Sequence, residues 1–147
     1  MSSIPTFVLD TNAWLDLLVF GDPAFAGFVE RVRSRQARIA IDDRALGELA
    51  RVLRYDALRL DNETIAQRLQ TARDLATPVQ VPAMRLPRCR DPDDQMFLEI
   101  AVAAHANALL TRDAELLRMA RRMQRDYGFA IVAPTAWRDV VGQMSKR

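Results

Sequence analysis

Short runs of consecutive apolar residues alternate along the chain with longer stretches in which apolar positions recur at helical spacing. The runs TFVL (6–9), RIAI (38–41), VQV (79–81), ALLT (108–111) and AIVA (130–133) read as strands. Several are apolar at successive positions, as strands covered on both faces are. Between them the spacing predicts helices near 12–19, 23–35, 43–54, 62–75, 92–106 and 114–126, with a last one over about 135–143. This alternation predicts an α/β fold, a three-layer sandwich around a central, mainly parallel five-stranded sheet. The stretch 92–106 is apolar almost all round, which places it centrally in the packing. The segment VPAMRLPRCRDP (81–92) has three prolines and no helical period, so it reads as a loop within the domain. With neither an internal repeat nor a linker, residues 1–147 are expected to form one domain.

Composition narrows the class. A chain of 147 residues, 50% hydrophobic and 27% charged, can bury a real core and is neither disordered nor fibrous in character. No apolar run approaches the roughly 20 residues of a membrane span. The start MSSIPTF lacks the basic and long apolar segments of a signal peptide, so the expectation is a cytoplasmic protein with no membrane partner. The single cysteine, Cys89, excludes an intramolecular disulfide and a cysteine zinc cluster. Net charge is only +2, but Lys146 is the only lysine. Arginine, with its planar fork of donors, suits phosphate. The arginines bunch at 30–38 and 118–125. Such runs also arise as solvated helix faces, so they point toward a nucleic-acid partner without requiring one.

The acids carry the chemistry. In FVLDTNAWLDLLV (7–19) the apolar run stops at Asp10 and resumes as a helix. Asp10 ends the first strand, and Asp113 is separated from ALLT by one residue. In a parallel sheet both fall at the carboxyl edge, where open α/β sheets bind ligands. The proline-led helix at 92 brings Asp94 to the same edge, in line with the buried positions Leu98 and Ala101. Glu48, in DDRALGELARVLR, sits at the margin of an apolar stripe and can face the same cleft. Carboxylates converging there cannot all ionise unless protons or cations compensate. Hard divalent cations, Mg2+ or Mn2+, prefer oxygen ligands, which fits acids with no histidine or cysteine ligand nearby. Each acid also has a plainer role. Asp10, Asp91 and Asp113 can cap helices, Asp93 and Asp94 can complement a helix dipole, and Glu48 can pair with Arg44 or Arg51.

The order of VLDTNAWLDLL, ALGELARVLR, RDPDDQMFLEIAVAAHANALLTRDAELL and a closing strand and helix resembles the PIN domain, particularly its VapC-like toxin branch, over nearly the whole chain. The resemblance implies Asp10, Glu48, Asp94 and Asp113 as the catalytic and metal-binding acids, with Asp91 and Asp93 as competitors for the place of Asp94. It also implies Thr11, Asn12 and Thr111 as supporting residues. The activity implied is a metal-dependent endoribonuclease, the toxin of a toxin–antitoxin pair, dimeric and restrained by a cognate antitoxin. One or two ions held by the acids would lower the pKa of a bound water for in-line attack on an RNA phosphodiester. Arg112, Arg118, Arg121 and Arg122 are candidate phosphate contacts. The alternative is a catalytically inactive PIN fold that binds RNA or protein.

Two other enzyme classes fit less well. A haloacid dehalogenase-type phosphatase usually carries D-x-D after its first strand, whereas Asn12 stands in that place, and a receiver domain needs an acidic pair and a late lysine. His105, late in an apolar helix, is expected to be packed. Trp14 and Trp137 are expected in core or interface packing, and the stripe Trp14, Leu17 and Leu18 is a candidate dimer or antitoxin groove.

Overall fold

A computed structural model describes residues 4–145, so Met1–Ser3, Lys146 and Arg147 lie outside the described residues. Strands β1 (Thr6–Leu9), β2 (Arg38–Ile41), β3 (Ala76–Pro78), β4 (Ala108–Leu110) and β5 (Ala130–Val132) form one sheet in the order β3-β2-β1-β4-β5. All neighbours are parallel. The central strand β1 is buried at every position. Successive side chains point to opposite faces, so helices must cover both.

The third strand lies at Ala76–Pro78, not at 79–81. Helix α4 (Asn62–Leu75) passes straight into it, because its C-cap Ala76 is already extended (φ −88, ψ 149). Val79 then donates one last bond to the Ile41 carbonyl (2.8 Å) before pairing stops. As an edge strand β3 tolerates Pro78. Helix α3 (Asp43–Leu53) follows the predicted span, but other helices are broken. The first is α1 (Thr11–Leu15), continued by a π turn over Asp16–Phe20 that ends at left-handed Gly21. Gly27 (φ +82) separates a 3-10 turn, Pro23–Phe25, from α2 (Phe28–Arg33). The 92–106 stretch opens as a 3-10 turn, Pro92–Asp94, and becomes α5 (Gln95–Ala103), packed on β1, β2 and β4. The stretch 114–126 divides into α6 (Ala114–Leu117) and α7 (Ala120–Tyr127), and α8 (Trp137–Ser145) follows a last turn.

Two expectations about single side chains are corrected here. His105 is exposed, not packed: it takes the left-handed position (φ 51) that ends α5, with Ala106 N–H donating to Ala101 O (2.9 Å) and its own N–H to Val102 O (3.2 Å). That Schellman turn directs the side chain away from the helix face below it. Trp14 is 1% exposed, Leu18 is also buried and Leu17 is half-buried, so the stripe Trp14, Leu17 and Leu18 is core rather than a free groove. The short α1 is pulled into the core by the sheet it follows. Trp137 is core as well: it meets Phe28 edge-on at 5.2 Å, and Phe28 meets Phe7 and Phe25 at 5.4 Å each.

Candidate active site

Strand order reverses beside β1, which has β2 on one side and β4 on the other. The crevice at the carboxyl ends of β1 and β4 is therefore the expected ligand position in an open α/β sheet. Asp10 immediately follows β1 and Asp113 follows β4. A cavity of ≈ 380 Å³ opens there, lined by Asp10, Thr11, Asn12, Glu48, Asp91, Asp93, Asp94 and Asp113 on its polar side. Leu15, Val52, Tyr55, Ala57, Leu58 and Phe97 complete it.

Capping positions three of these acids. Asp10 Oδ1 accepts from Ala13 N–H (2.8 Å), Asp91 Oδ1 from Asp93 N–H (3.0 Å), and Asp113 Oδ1 from Glu115 N–H (2.8 Å). Each cap uses one oxygen and fixes the rotamer, so the capping role and the cleft role coexist. Thr111, wholly buried, ties the two strands together. Its hydroxyl donates to Asp10 Oδ2 (2.5 Å) and accepts from Asp113 N–H (2.9 Å). Buried Gln95 holds the loop in front of α5: its Oε1 accepts from Cys89 N–H (2.8 Å) and its Nε2 donates to Pro87 O (3.2 Å). The turn carrying Asp91 and Asp94 is thereby anchored at its base.

The carboxylates crowd. Ligand oxygens of Asp91, Asp94 and Asp113 all lie within 4.8 Å of one another, while Asp10 and Glu48 stand outside that set on the same cavity wall. Burial, reinforced by the charges of Asp113, Asp91 and Asp10, pushes Asp94 up to about 7. Burial likewise pushes Asp10 up to about 6 against the opposing hydrogen bonds of Thr111 and Ala13, with Asp113 and Asp16 adding repulsion. Glu48 is raised by burial first, then by Asp93 and Asp91, with Arg51 opposing. Asp94 Oδ2 and Thr11 Oγ1 are buried with no hydrogen-bond partner. Orphaned buried oxygens beside a knot of carboxylates fit the residues to a bound cation. The all-oxygen donor set suits a hard divalent ion.

The basic candidates are placed differently. Arg112 is ion-paired with Asp16, a buried acid in the π turn, at 2.6 Å. Arg118 stands 3.7 Å from Glu115, and Arg121 and Arg122 are exposed on α7. Arg44 pairs with Asp42 (2.7 Å) and Glu99 (2.8 Å) rather than with Glu48. Asp16 was not among the candidate site residues. Its signal is a lone charge inside the apolar run WLDLLV, four residues after Asn12.

A family model described as PIN domain matches residues 6–115, spanning β1 through Glu115 and hence every acid of the cavity. The chain belongs to the PIN domain family. PIN domains are typically nucleases, and the acidic cluster of this one sits at the sheet's switch point. No curated protein matches this PIN domain by sequence. Among solved structures it is similar to the crystal structure of PAE2754 from Pyrobaculum aerophilum, with a TM-score of 0.57 and 14% identity, covering 100% of both chains. At that identity the likeness concerns the fold. Among the described residues no helix is long and apolar enough to cross a membrane.

Proposed function

We propose that this PIN domain is a metal-dependent endoribonuclease that acts as the toxin of a toxin–antitoxin pair. The observation that carries the nuclease reading is the convergence of Asp91, Asp94 and Asp113 in the cavity that Asp10 and Glu48 also line. Asp91, Asp94 and Asp113 would hold a divalent ion, with Asp10 and Glu48 completing the anionic wall. Mg2+ or Mn2+, one ion or two, would supply a water of lowered pKa and neutralise charge on the phosphate.

The chain's own residues do the rest. Thr111 keeps Asp10 turned toward the cavity and sets the backbone of Asp113. Asp94 must give up the proton that its neighbours favour before it can serve as a ligand. Asn12 and Thr11 line the cavity within reach of a bound phosphodiester. Arg112, anchored by Asp16, retains donors for phosphate on its exposed side.

RNA as substrate, a homodimer and a cognate antitoxin are what the resemblance of the ordered sequence blocks to the toxin branch implies. The decisive experiment incubates wild type and Asp10→Asn with structured RNA and matching DNA, with manganese or magnesium and with chelator. The reading expects metal-dependent RNA cleavage that a folded Asp10→Asn loses. A folded wild type that cleaves neither nucleic acid with either metal would make this a binding module. Co-expression with the product of a neighbouring small gene, followed by light scattering, tests antitoxin and dimer together. A lone monomer would remove the toxin reading and leave the nuclease one.

A further inference from the structure

Tyr55 is 52% exposed, one of four large hydrophobic side chains exposed among the described residues, with Ile4, Phe20 and Tyr127. Of the four, Tyr55 alone lines the acid cavity. An isolated exposed aromatic needs no explanation by itself, but one set into the wall of an anionic cleft does. Its position follows from α3. Glu48 and Val52 lie one turn apart on α3, and both line the cavity. Tyr55 lies just beyond the helix, after its C-cap Arg54 and with extended backbone (φ −64, ψ 133), and its N–H donates to Val52 O (3.0 Å), so the end of α3 sets the ring's place on the cavity lining. Past the helix end the 3-10 turn Asp56–Leu58 adds Ala57 and Leu58 to the same apolar wall.

A cavity whose lining combines acids with an exposed ring and aliphatic side chains is chemically bipartite. Acids with a bound cation suit a phosphodiester; a flat ring bordered by aliphatic side chains suits the face of a heterocycle. A nucleotide presents both groups joined by one sugar. Within a duplex the base is already stacked and paired, so only an unpaired nucleotide can offer its face. We infer that Tyr55 is a stacking platform for an unpaired nucleobase next to the scissile phosphate. This inference rests on the nuclease reading above and adds a base subsite to it. Stacking on a ring is tolerant of base identity, so Tyr55 holds a base without reading its sequence.

The test compares wild type, Tyr55→Phe, Tyr55→Leu and Tyr55→Ala on short labelled RNAs with manganese, each RNA used single-stranded and annealed to its complement. Stacking predicts that Phe preserves KM, while Leu and Ala raise it about five- to 150-fold with kcat changed less. It also predicts preference of wild type for the unpaired RNA. Once the cut bond is mapped, an abasic residue beside it should weaken wild type as much as Tyr55→Ala does and leave Tyr55→Ala unaffected. The Phe variant and thermal melts separate this from lost folding. Equal KM for all four proteins overturns the stacking role and assigns the apolar wall to another partner, with the nuclease intact. Equal cleavage of paired and unpaired RNA also overturns it. A wild type inactive on every RNA overturns the nuclease reading and the subsite with it.

Discussion

A single hydroxyl, that of Thr111, connects the ends of two strands, since it donates to Asp10 and accepts from the backbone of Asp113. Thr111→Val keeps the shape and deletes the donor, leaving a buried carboxylate short of a partner. The expected cost in urea denaturation is about 1–3 kcal/mol above neutral pH, shrinking in acid as Asp10 gains its proton. Equal cost at both pH values would show that the hydroxyl acts through Asp113 instead. Asp94 predicts the opposite sign. It makes no side-chain cap bond, and burial and its neighbours already push it up to about 7. Asp94→Asn should therefore raise Tm in metal-free buffer at about pH 8, by relieving repulsion, and abolish any rise in Tm with manganese. A variant less stable than wild type under those conditions would mean that the carboxylates do not repel as their placement implies. That Asp10, Asp94, Asp113 and Glu48 would share one cleft was legible in the sequence, and all four line the cavity. Which acids draw closest was not, because side-chain approach depends on rotamers that the caps and Thr111 impose.

Helix termini and loops bring the acids together. Gln95 opens α5 and clamps the Pro87–Cys89 segment, so it supports the turn that carries Asp91 and Asp94. Gln95→Ala should weaken manganese binding by about tenfold, in the range seen when residues supporting metal ligands are removed, with the fold retained. Calorimetric titration measures it, and unchanged affinity would show that the caps alone hold the turn. The elements themselves were readable where local signals agreed. Asp42 caps α3 by accepting from Ala45 N–H (2.9 Å), and Asp61 caps α4 through Thr64 N–H (2.8 Å), as their places before helical periods suggest. Reading failed where periodicity continued through a break. In 12–19 the apolar spacing persists although the helix widens to a π turn at Asp16, and in 114–126 it spans the gap between α6 and α7. The displaced β3 is the same problem at a sheet edge: Ala76, Thr77 and Pro78 have little strand character of their own and pair because Ile39–Ile41 lie beside them.

For the whole molecule the crowded acids are a stability cost that a bound cation would offset. Asp10 and Asp94 hold protons in the folded state up to about 6 and about 7, against a usual value of 3.8. The folded protein thus binds more protons than the unfolded chain in that window. The contribution of these two acids to metal-free stability should be full below about pH 4, fall as pH rises toward 7 and level off above it. Manganese should reverse the fall, with its largest effect on Tm near pH 8 and almost none near pH 5, where protons compete for the same oxygens. Thermal melts across pH with and without the ion check both limbs. A flat metal-free profile would mean that the acids are better solvated than their burial implies.

Strand–helix alternation, the turns that place Asp10 and Asp113 after strands, and the caps are local matters, carried by hydrophobic period and by hydrogen bonds a few residues long. They are written in the chain, as are the blocks that resemble a PIN domain. Strand order, the crevice beside β1, and the meeting of Asp10 with Thr111, 101 residues apart, are long-range. So are the burial of Trp14, the pairing of Arg112 with Asp16 and the arrival of Tyr55 at the wall of the cleft. Packing decides these, because which apolar faces cover the sheet determines which polar groups are left to face one another.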